Sequence, residues 1–215
     1  MAERPIFIPS PDDAGFVKEL SFSFVWSPGF AVSQKKKNIK ALHQTAAWSG
    51  YSPLLEISTK SEDDLGRQLS AFNLKIQTQQ FGEIVLECVF QGSKVFERGG
   101  PYTDLYGAEP RDAKRDQRLQ ESGRLVGFTF ENRQFPLEPK TVFYDWLYIS
   151  AIYPRRESFG QLSQHAGFTD IEFNPERSIN CQARACALFV ALTKSNLLDE
   201  AMSSETEFIR LMRTR

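Results

Sequence analysis

The stretch from Leu86 to Phe96 constrains the fold most strongly, because as a helix it is apolar around most of its circumference. Its polar side chains follow steps of four, three and four residues and fall on one stripe, formed by Glu87, Gln91, Lys94 and Arg98. Such a helix has to be covered by other elements on its remaining sides. A carboxylate, an amide and an amine on one stripe can form a small acid/base site, although the spacing alone is more typical of a solvated face.

The composition is that of an ordinary globular protein, and the net charge excludes one kind of binding. Hydrophobic residues make up 41% and charged residues 25% of the 215 residues, so the chain can bury a substantial core. The 18 phenylalanines predict that this core is rich in aromatic rings. The formal net charge is −1, so the molecule is not a polycation, and any nucleic-acid binding must come from local basic patches.

The cysteines and histidines predict neither a disulfide framework nor a metal site. Cys88, Cys181 and Cys186 are an odd number of cysteines and lack the CxxC spacing of a zinc site. His43 and His165 are far apart in the sequence and are more typical of structural or exposed histidines than of metal ligands. We therefore expect no metal and no organic cofactor.

No targeting or membrane segment is predicted. The start of the chain, Met1 to Pro5, lacks the basic and apolar regions of a signal peptide. The longest apolar run, Cys186 to Leu192, is too short to cross a bilayer. The sequence therefore predicts a cytoplasmic protein without a membrane partner.

The N-terminal part predicts a strand followed by a basic helix. Apolar and polar residues alternate from Val17 to Trp26, which is typical of a half-buried strand. Ser33 is expected to cap a helix over residues 34–49, whose first turns carry Lys35, Lys36, Lys37 and Lys40. Cations at a helix N-terminus oppose the macrodipole, so local stability does not account for them. Contact with a phosphate backbone would account for them, and a plain solvated face does so equally well.

The rest of the chain predicts mostly helices with a few short strands. Strands are expected over residues 54–58 and 126–130, and helices over residues 109–120, 141–153, 157–165 and 178–192. Ser61 and Ser204 are expected to cap two further helices. Residues 168–175 predict an extended segment in which Asp170, Glu172 and Asn174 share one polar face.

A short element upstream of the central helix makes the pattern more specific. Residues Leu69 to Asn73 read L-S-A-F-N, and the helix follows them with the spacing E-x-x-F-Q-x-x-K. This pair of elements resembles the NADAR family, whose helix is matched here by Glu87, Phe90, Gln91, Lys94 and Phe96. Ala71 stands where the family has asparagine, and only Glu172 clearly matches the family's late acidic motif.

The whole chain is similar to the NADAR antitoxins that are paired with DarT-type toxins. The matching phrases are Arg4 to Pro9, Pro101 to Asp104, Glu138 to Lys140, Tyr144 to Trp146 and Phe168 to Asn174. The resemblance implies an N-glycosidase that removes ADP-ribose from guanine in single-stranded DNA and thereby acts as an antitoxin. It also implies ADP-ribosylated DNA as substrate, ADP-ribose as product, and a cognate DarT-type toxin as a genetic partner, with direct contact left open.

The resemblance also implies roles for particular residues. Lys94 is the first candidate for covalent or electrostatic catalysis, Glu87 for acid/base work, and Gln91 for orienting the substrate. Asp170 and Glu172 are further catalytic candidates. A lysine whose pKa is lowered can attack an opened ribose aldehyde as a Schiff base, while a carboxylate moves protons.

Binding roles are implied for a wider set of residues. Lys60, at a strand-to-helix junction, is both a substrate-binding candidate and an alternative reactive lysine. The other substrate-binding candidates are Ser70, Phe72, Gln91, Tyr102, Arg124 and Asn180. The four lysines Lys35, Lys36, Lys37 and Lys40 are candidates for contact with nucleic acid.

The predicted fold is α+β and predominantly helical, as a single compact NADAR-like domain with a β-containing N-terminal extension. The extension covers residues 1–53, with strands and the basic helix. Residues 54–194 are expected to form the catalytic core, and residues 195–215 a C-terminal helix.

Two other functions fit the same sequence. One is an N-glycosidase that acts on small riboflavin-pathway intermediates, a substrate class linked to other family members. The basic run from Lys35 to Lys40 favours a polymeric substrate over these. The other is an antitoxin without catalysis that binds the toxin directly, with the aromatic loop from Gly99 to Tyr106 as the contact.

Overall fold

A computed structural model describes residues 1–214, so Arg215, the last residue of the predicted C-terminal segment, lies outside the described residues. The fold is α+β with more helix than strand, which confirms the predicted fold class. Contacts between residues group the chain into two compact units, Met1–Ser70 with Arg155–Arg215, and Ala71–Pro154. The domain boundaries placed at residues 53 and 194 stay predictions.

The elements alternate along the chain. The strands are β1 Ala2–Pro9, β2 Val17–Phe24, β3 Leu54–Glu56, β4 Lys75–Thr78, β5 Gly82–Val85, β6 Lys94–Phe96, β7 Leu125–Phe130, β8 Arg133–Phe135 and β9 Gly167–Thr169. The α-helices are α1 Val32–Trp48, α2 Asp64–Gln68, α3 Leu86–Gly92, α4 Pro110–Arg115, α5 Arg118–Glu121, α6 Val142–Ile152, α7 Gln182–Lys194, α8 Leu198–Ala201 and α9 Glu205–Thr214. Two 3₁₀ segments cover Thr103–Gly107 and Tyr153–Gln164.

The first unit is built on a four-stranded sheet in the order β2-β1-β9-β3. Strands β1 and β2 pair antiparallel over eight residues, from Ala2 opposite Phe24 to Pro9 opposite Val17. The alternation that predicted β2 is confirmed, because Phe24 is buried whereas Ser21 and Ser23 are exposed. Strands β3 and β9 pair parallel, so their carboxyl ends meet at one edge of the sheet.

The core of the first unit lies between this sheet and its helices. Helix α1 covers the β1–β2 hairpin, and the apolar helix α7 lies against β1 and β9. The cluster on the α1 side consists of Ile6, Phe24, Ile39, Leu42, Ala46 and Ile171. Nearly all of α7 is buried, as its uninterrupted apolar sequence predicts.

The second unit holds two small antiparallel sheets, the β4–β5 hairpin and the sheet β6-β7-β8. Every residue of α3 is buried, and α4 and α6 pack against this helix. Stacked rings continue outward from α3, with the Phe90 and Phe128 ring centroids 5.7 Å apart and those of Phe128 and Phe143 4.6 Å apart. The aromatic-rich core expected from the phenylalanine count is therefore present here.

Several predicted helix limits are wrong, and in two of the three cases an aspartate side chain sets the limit elsewhere. Helix α1 starts at Val32 without a side-chain cap, so Ser33 lies within its first turn. Asp63, not Ser61, caps α2, with its carboxylate accepting a hydrogen bond from the Leu65 amide. The helix predicted over residues 109–120 is split into α4 and α5, because the Asp116 carboxylate accepts the Arg118 amide and starts a new turn.

Two further predictions fail near the chain's later prolines. The helix predicted over residues 157–165 is a distorted 3₁₀ segment that begins directly after α6, with a non-helical backbone at Arg155. The extended segment predicted over residues 168–175 ends at Thr169 and is followed by turns, so Asp170, Glu172 and Asn174 do not share a strand face. Helix α7 accordingly starts at Gln182, later than predicted. The cap at Ser204 is confirmed by its hydroxyl, which accepts the Glu207 amide at 3.1 Å.

Candidate active site

Three side chains of the second unit form a continuous hydrogen-bond chain. The Gln91 amide nitrogen donates to Glu87 Oε1 at 2.9 Å, and Lys94 Nζ donates to Gln91 Oε1 at 2.6 Å. Glu87 and Gln91 are each only 5% exposed, so the predicted polar stripe is not a solvated face. The Gln91 amide thus joins a buried carboxylate to a partly buried amine through two hydrogen bonds.

The backbone brings these groups together in a different way from the continuous helix that was predicted. Helix α3 ends at Gly92, and Lys94 is the first residue of β6, where it pairs with Phe128. Only glycine fits at this helix end, because a Cβ at Gly92 would lie 2.6 Å from the Tyr106 ring and 2.8 Å from the Tyr102 carbonyl oxygen. Arg98 therefore leaves the stripe, and its guanidinium donates to the Glu121 carbonyl instead.

The surroundings of Lys94 weaken its positive charge. Burial lowers the pKa of Lys94 from 10.5 to about 8, with Glu87 acting against this shift and Lys114 adding to it. The face of the Phe90 ring lies 4.9 Å from Lys94 Nζ and is the apolar floor under the amine. A substantial fraction of Lys94 is thus a neutral amine at slightly alkaline pH, which is the form that can act as a nucleophile.

Lys114 completes this group and was missed by the sequence analysis. It lies on α4, which packs on α3, and its Nζ is 3.8 Å from Glu87 Oε1 and 5.4 Å from the Phe72 ring centroid. Phe72 was predicted to bind substrate, and it is here partly exposed beside a cation. The mixed charges of residues 109–120 carried no signal that one lysine would point at the carboxylate.

Tyr102 and Arg124 lie in the second unit but have other partners. The Tyr102 hydroxyl is hydrogen-bonded to Ser122 Oγ, and the Arg118 guanidinium lies 4.5 Å from the Tyr102 ring centroid. Arg124 pairs with Glu97 at 3.2 Å, and 81% of its side chain is exposed. Their predicted contacts with substrate stay predictions.

A second polar cluster lies in the first unit, where the parallel strands β3 and β9 end. Glu56, the last residue of β3, accepts hydrogen bonds from Ser58 Oγ at 2.7 Å, Thr169 Oγ1 at 2.6 Å and the Ile171 amide at 2.9 Å. Asp170 follows β9 and accepts from the Gln182 amide nitrogen at 2.9 Å. A two-carboxylate site is therefore assembled at the edge of the sheet.

Burial controls the titration of this cluster. It raises the pKa of Glu56 from 4.5 to about 8, with the charge of Asp170 adding to the rise and the three hydrogen bonds opposing it. His43, whose Nε2 lies 2.8 Å from Thr169 Oγ1, has its pKa lowered to about 4 by burial and is neutral at pH 7. Burial also raises the pKa of the neighbouring Cys181 thiol.

The sequence analysis found Asp170 in this cluster but missed Glu56, Thr169, His43 and Gln182. Glu56 carried a signal that could have been used, because it stands between the apolar residues Leu55 and Ile57 in a predicted strand. Thr169 directly precedes Asp170 but carried no signal of its own, and His43 and Gln182 come from other parts of the chain that sequence spacing does not relate to it.

Glu172 has a different environment from Asp170. Its side chain is 44% exposed and lies 3.7 Å from Lys35 Nζ. The Glu172 amide donates to Asp170 Oδ1 at 3.0 Å, so the turn that contains Glu172 helps to hold Asp170.

The remaining predicted positions are distributed over the first unit, apart from Phe72. Lys60 Nζ donates to Thr59 Oγ1 at 2.8 Å in the loop after β3, and Ser70 is buried. Asn180 precedes α7 and is partly exposed, with its carbonyl accepting from Ser178 Oγ. The predicted substrate contacts of Lys60, Ser70 and Asn180 stay predictions.

Three of the four lysines of α1 have acidic or aromatic partners within the protein. Lys36 and Lys40 pair with Glu62 at 3.9 Å and 3.1 Å, and Lys35 lies near both Glu172 and the Trp26 ring. Lys37 is exposed. Their role in nucleic-acid binding stays a prediction.

No metal centre is found among residues 1–214, where no three His, Cys, Asp or Glu side chains are grouped so as to hold an ion. In the same part of the chain, no helix has the length and apolar character needed to span a bilayer.

The comparison with protein families decides what the chain is related to. A family model described as the DarT1-associated NADAR antitoxin matches residues 2–215. The chain belongs to the DarT1-associated NADAR antitoxin family. This confirms the resemblance of the whole chain that was found in the sequence. No curated protein matches the chain.

Family membership gives the protein an antitoxin role and implies a cognate DarT toxin. NADAR families are in general N-glycosidase-like hydrolases.

Proposed function

We propose that this NADAR antitoxin is a glycohydrolase that removes ADP-ribose from guanine bases of single-stranded DNA and so reverses the modification made by its toxin. The single observation that carries the proposal is the Glu87–Gln91–Lys94 hydrogen-bond chain, in which burial of most of the lysine lowers its pKa to about 8. Family membership supports the antitoxin role of such an activity.

Lys94 is the proposed nucleophile. The ring C1–O bond of the ribose opens as the guanine nitrogen forms a C=N bond to C1, and the ring oxygen takes a proton from Glu87 or water. The neutral Lys94 amine then adds to C1, and the guanine nitrogen takes up a proton and leaves as the C1–N bond breaks. Water hydrolyses the resulting Lys94 imine, which releases ADP-ribose and the free amine.

Glu87 and Gln91 have distinct proposed roles in this step. Glu87 supplies and recovers the protons, because it is the carboxylate of the Glu87–Gln91–Lys94 hydrogen-bond chain. The Lys114 cation lies 3.8 Å from Glu87 Oε1 and compensates the negative charge of this carboxylate. Gln91 holds the Lys94 amine in position through its carbonyl oxygen. Phe72, beside Lys114, is proposed to contact the base or the ribose.

The decisive experiment uses a DNA oligonucleotide that carries ADP-ribose on a guanine. Incubation with the protein should release free ADP-ribose and leave unmodified guanine, as measured by mass spectrometry of both products. Borohydride added during turnover should reduce the imine and leave a covalent adduct on Lys94. A protein that binds the oligonucleotide without releasing ADP-ribose would exclude the glycohydrolase.

The polymeric nature of the substrate is tested separately. If the lysines of α1 contact phosphates, cleavage of the oligonucleotide should weaken with rising salt, whereas cleavage of ADP-ribosylated guanosine should not. Replacing Lys36, Lys37 and Lys40 by serine should reduce the salt dependence, with Lys18→Ser on β2 as the control. Equal salt dependence for polymer and nucleoside would count against DNA as the substrate.

A further inference from the structure

Glu56 has an environment that the proposed chemistry does not explain. Its side chain is 2% exposed, and both carboxyl oxygens are occupied by hydrogen bonds from the protein. It therefore cannot contact a substrate, yet two of its three partners, Thr169 and Ile171, directly flank Asp170.

The neighbours of Glu56 make a doubly charged pair unfavourable. Asp170 comes from the parallel strand β9, is 8% exposed and is the charged group whose field acts on Glu56. Two further titratable neighbours, His43 and the Cys181 thiol, are held in their uncharged forms by burial. Since two carboxylates in one buried site do not readily ionise together, the pair retains one proton.

A hydrogen-bond chain leads from Glu56 towards solvent. Glu56 Oε2 is bonded to Thr169 Oγ1, and Thr169 Oγ1 is bonded to Nε2 of the partly exposed His43. When Glu56 carries a proton, it donates to Thr169, and Thr169 donates to the Nε2 lone pair. When the proton leaves, Glu56 gives it to Thr169, Thr169 gives its own to Nε2, and Nδ1 of His43 releases one to solvent.

We propose that Glu56 is a positioning residue of the Asp170 site that holds one proton at neutral pH, leaves Asp170 as the charged member of the pair, and exchanges its proton through Thr169 and His43. The link to catalysis rests on the proposed function and on the expectation from the sequence that Asp170 is a further catalytic candidate of that glycohydrolase. The protonation of Glu56 does not depend on the proposed function.

Glu56→Gln is the matched variant for this proposal, because glutamine has the shape of the protonated acid. Its oxygen can accept from Ser58 and from the Ile171 amide, and its nitrogen can donate to Thr169 as the protonated carboxyl would. Glu62→Gln, on an exposed residue of the same unit, is the control.

The first test is a titration that does not depend on activity. Protein with ¹³C-labelled glutamate carboxyls should show one resonance, identified by its loss in Glu56→Gln, whose midpoint lies several pH units above those of the other glutamates. The ¹⁵N shifts of His43 should change at the same midpoint, since Nε2 turns from acceptor to donor, and this change should vanish in Glu56→Gln. A Glu56 midpoint in the ordinary carboxyl range, or a His43 ring that does not respond, would overturn the proposal.

The second test uses the ADP-ribosylated oligonucleotide and separates a positioning role from a structural one. The wild-type rate should fall at pH values above the Glu56 midpoint, and Glu56→Gln should keep the neutral-pH rate within about threefold and lose that fall. A folded Glu56→Gln protein that is inactive at every pH would overturn the positioning role. Because the carboxyl titration needs no turnover, failure of the glycohydrolase and failure of this inference give different results.

Discussion

The two polar clusters of this antitoxin each contain one group whose charged form is disfavoured by burial, an amine in one cluster and a carboxyl in the other. In the second unit, burial lowers the pKa of Lys94 to about 8, and in the first unit it raises the pKa of Glu56 to about 8. In both, loss of hydration favours the neutral form, which yields a free amine in one place and a protonated acid in the other. The comparison teaches that charge near neutral pH is set here by enclosure more than by residue type.

The clusters differ in how they are assembled. Glu87, Gln91 and Lys94 lie within eight positions of one another and are joined by the end of one helix and the start of one strand. The Glu56 cluster draws side chains from α1, the ends of β3 and β9, and the start of α7. The geometry of the Glu87–Gln91–Lys94 cluster therefore depends on a few neighbouring residues. The geometry of the Glu56 cluster depends on the packing of the whole first unit.

Among the predicted changes, we expect the largest from replacing Lys94, the proposed nucleophile of the second-unit cluster. Lys94→Ala should lower the rate of ADP-ribose release by at least about 10²-fold, because it removes the amine that Gln91 holds in position. Lys94→Arg should not restore the rate, since a guanidinium stays protonated. Single-turnover assays measure this, with Lys75→Ala, an exposed lysine paired with Glu83, as control. An unchanged rate in folded Lys94→Ala would remove Lys94 from the mechanism.

The next effect is structural and confined to the first unit. A Cβ at Gly66 of α2 would overlap the Glu56 carbonyl oxygen and lie 2.5 Å from Ser61 Oγ. Gly66→Ala should therefore lower the free energy of unfolding by about 2–3 kcal/mol, because backbone cannot move aside cheaply. Urea unfolding measures it, and Gly160→Ala, where a Cβ meets nothing within 4 Å, is the control. Equal stability of the two variants would contradict the close packing of α2 on β3.

Glu56 and Lys94 should make the free energy of unfolding depend on pH in opposite directions. The folded-state pKa of Glu56 is raised, so its contribution to stability is complete below about 4.5 and is lost as the pH rises through about 8. The folded-state pKa of Lys94 is lowered, so its contribution is complete above about 10.5 and is lost as the pH falls through about 8.

Two variants that cannot titrate should show these opposite trends. The stability of Glu56→Gln relative to wild type should improve from pH 5 to pH 9, whereas that of Lys94→Met should improve from pH 9 to pH 5. At pH 7, Lys94→Met should be more stable than wild type by about 1 kcal/mol, as is common when a strained active-site group is removed. Denaturant midpoints at pH 5, 7 and 9 measure both, and parallel trends would show that one of the two groups is not buried as described.

The smallest effect concerns the cation beside Glu87. Lys114 contributes the least to the lowered pKa of Lys94, so Lys114→Gln should move the alkaline rise of the pH–rate profile upward by less than one pH unit. Arg115→Gln, on an exposed neighbour in α4, should leave the profile in place. A downward shift with Lys114→Gln would mean that the lysine acts on Lys94 chiefly through Glu87.

The sequence predicted those parts of the molecule whose signals are local. The alternation of β2, the apolar face of α7 and the Ser204 cap depend on neighbouring residues and were found. The β4–β5 hairpin was missed because its short strands are polar on one side and lack a strong turn sequence. The split of α4 from α5 was missed because a single Asp116 hydrogen bond outweighed the helical pattern.

The candidate site divides in the same way. Glu87, Gln91 and Lys94 were found together because their spacing is short, although the predicted reason, one continuous helix, is wrong. Glu56, Thr169 and His43 were not found as a group, because only the pairing of β3 with β9 and the packing of α1 bring them together. Periodicity reports which face a residue occupies, but it does not report which distant residue that face meets.

Gln91 has a consequence for how the protein keeps an acid and a base side by side. If Lys94 and Glu87 touched directly, they would form an ion pair, and the amine would stay fully charged at working pH. One amide inserted between them gives each a hydrogen bond without a shared charge, and its oxygen must face the lysine while its nitrogen faces the carboxylate. The amide acts as an uncharged spacer, and it lets two groups that would otherwise neutralise each other keep separate proton affinities.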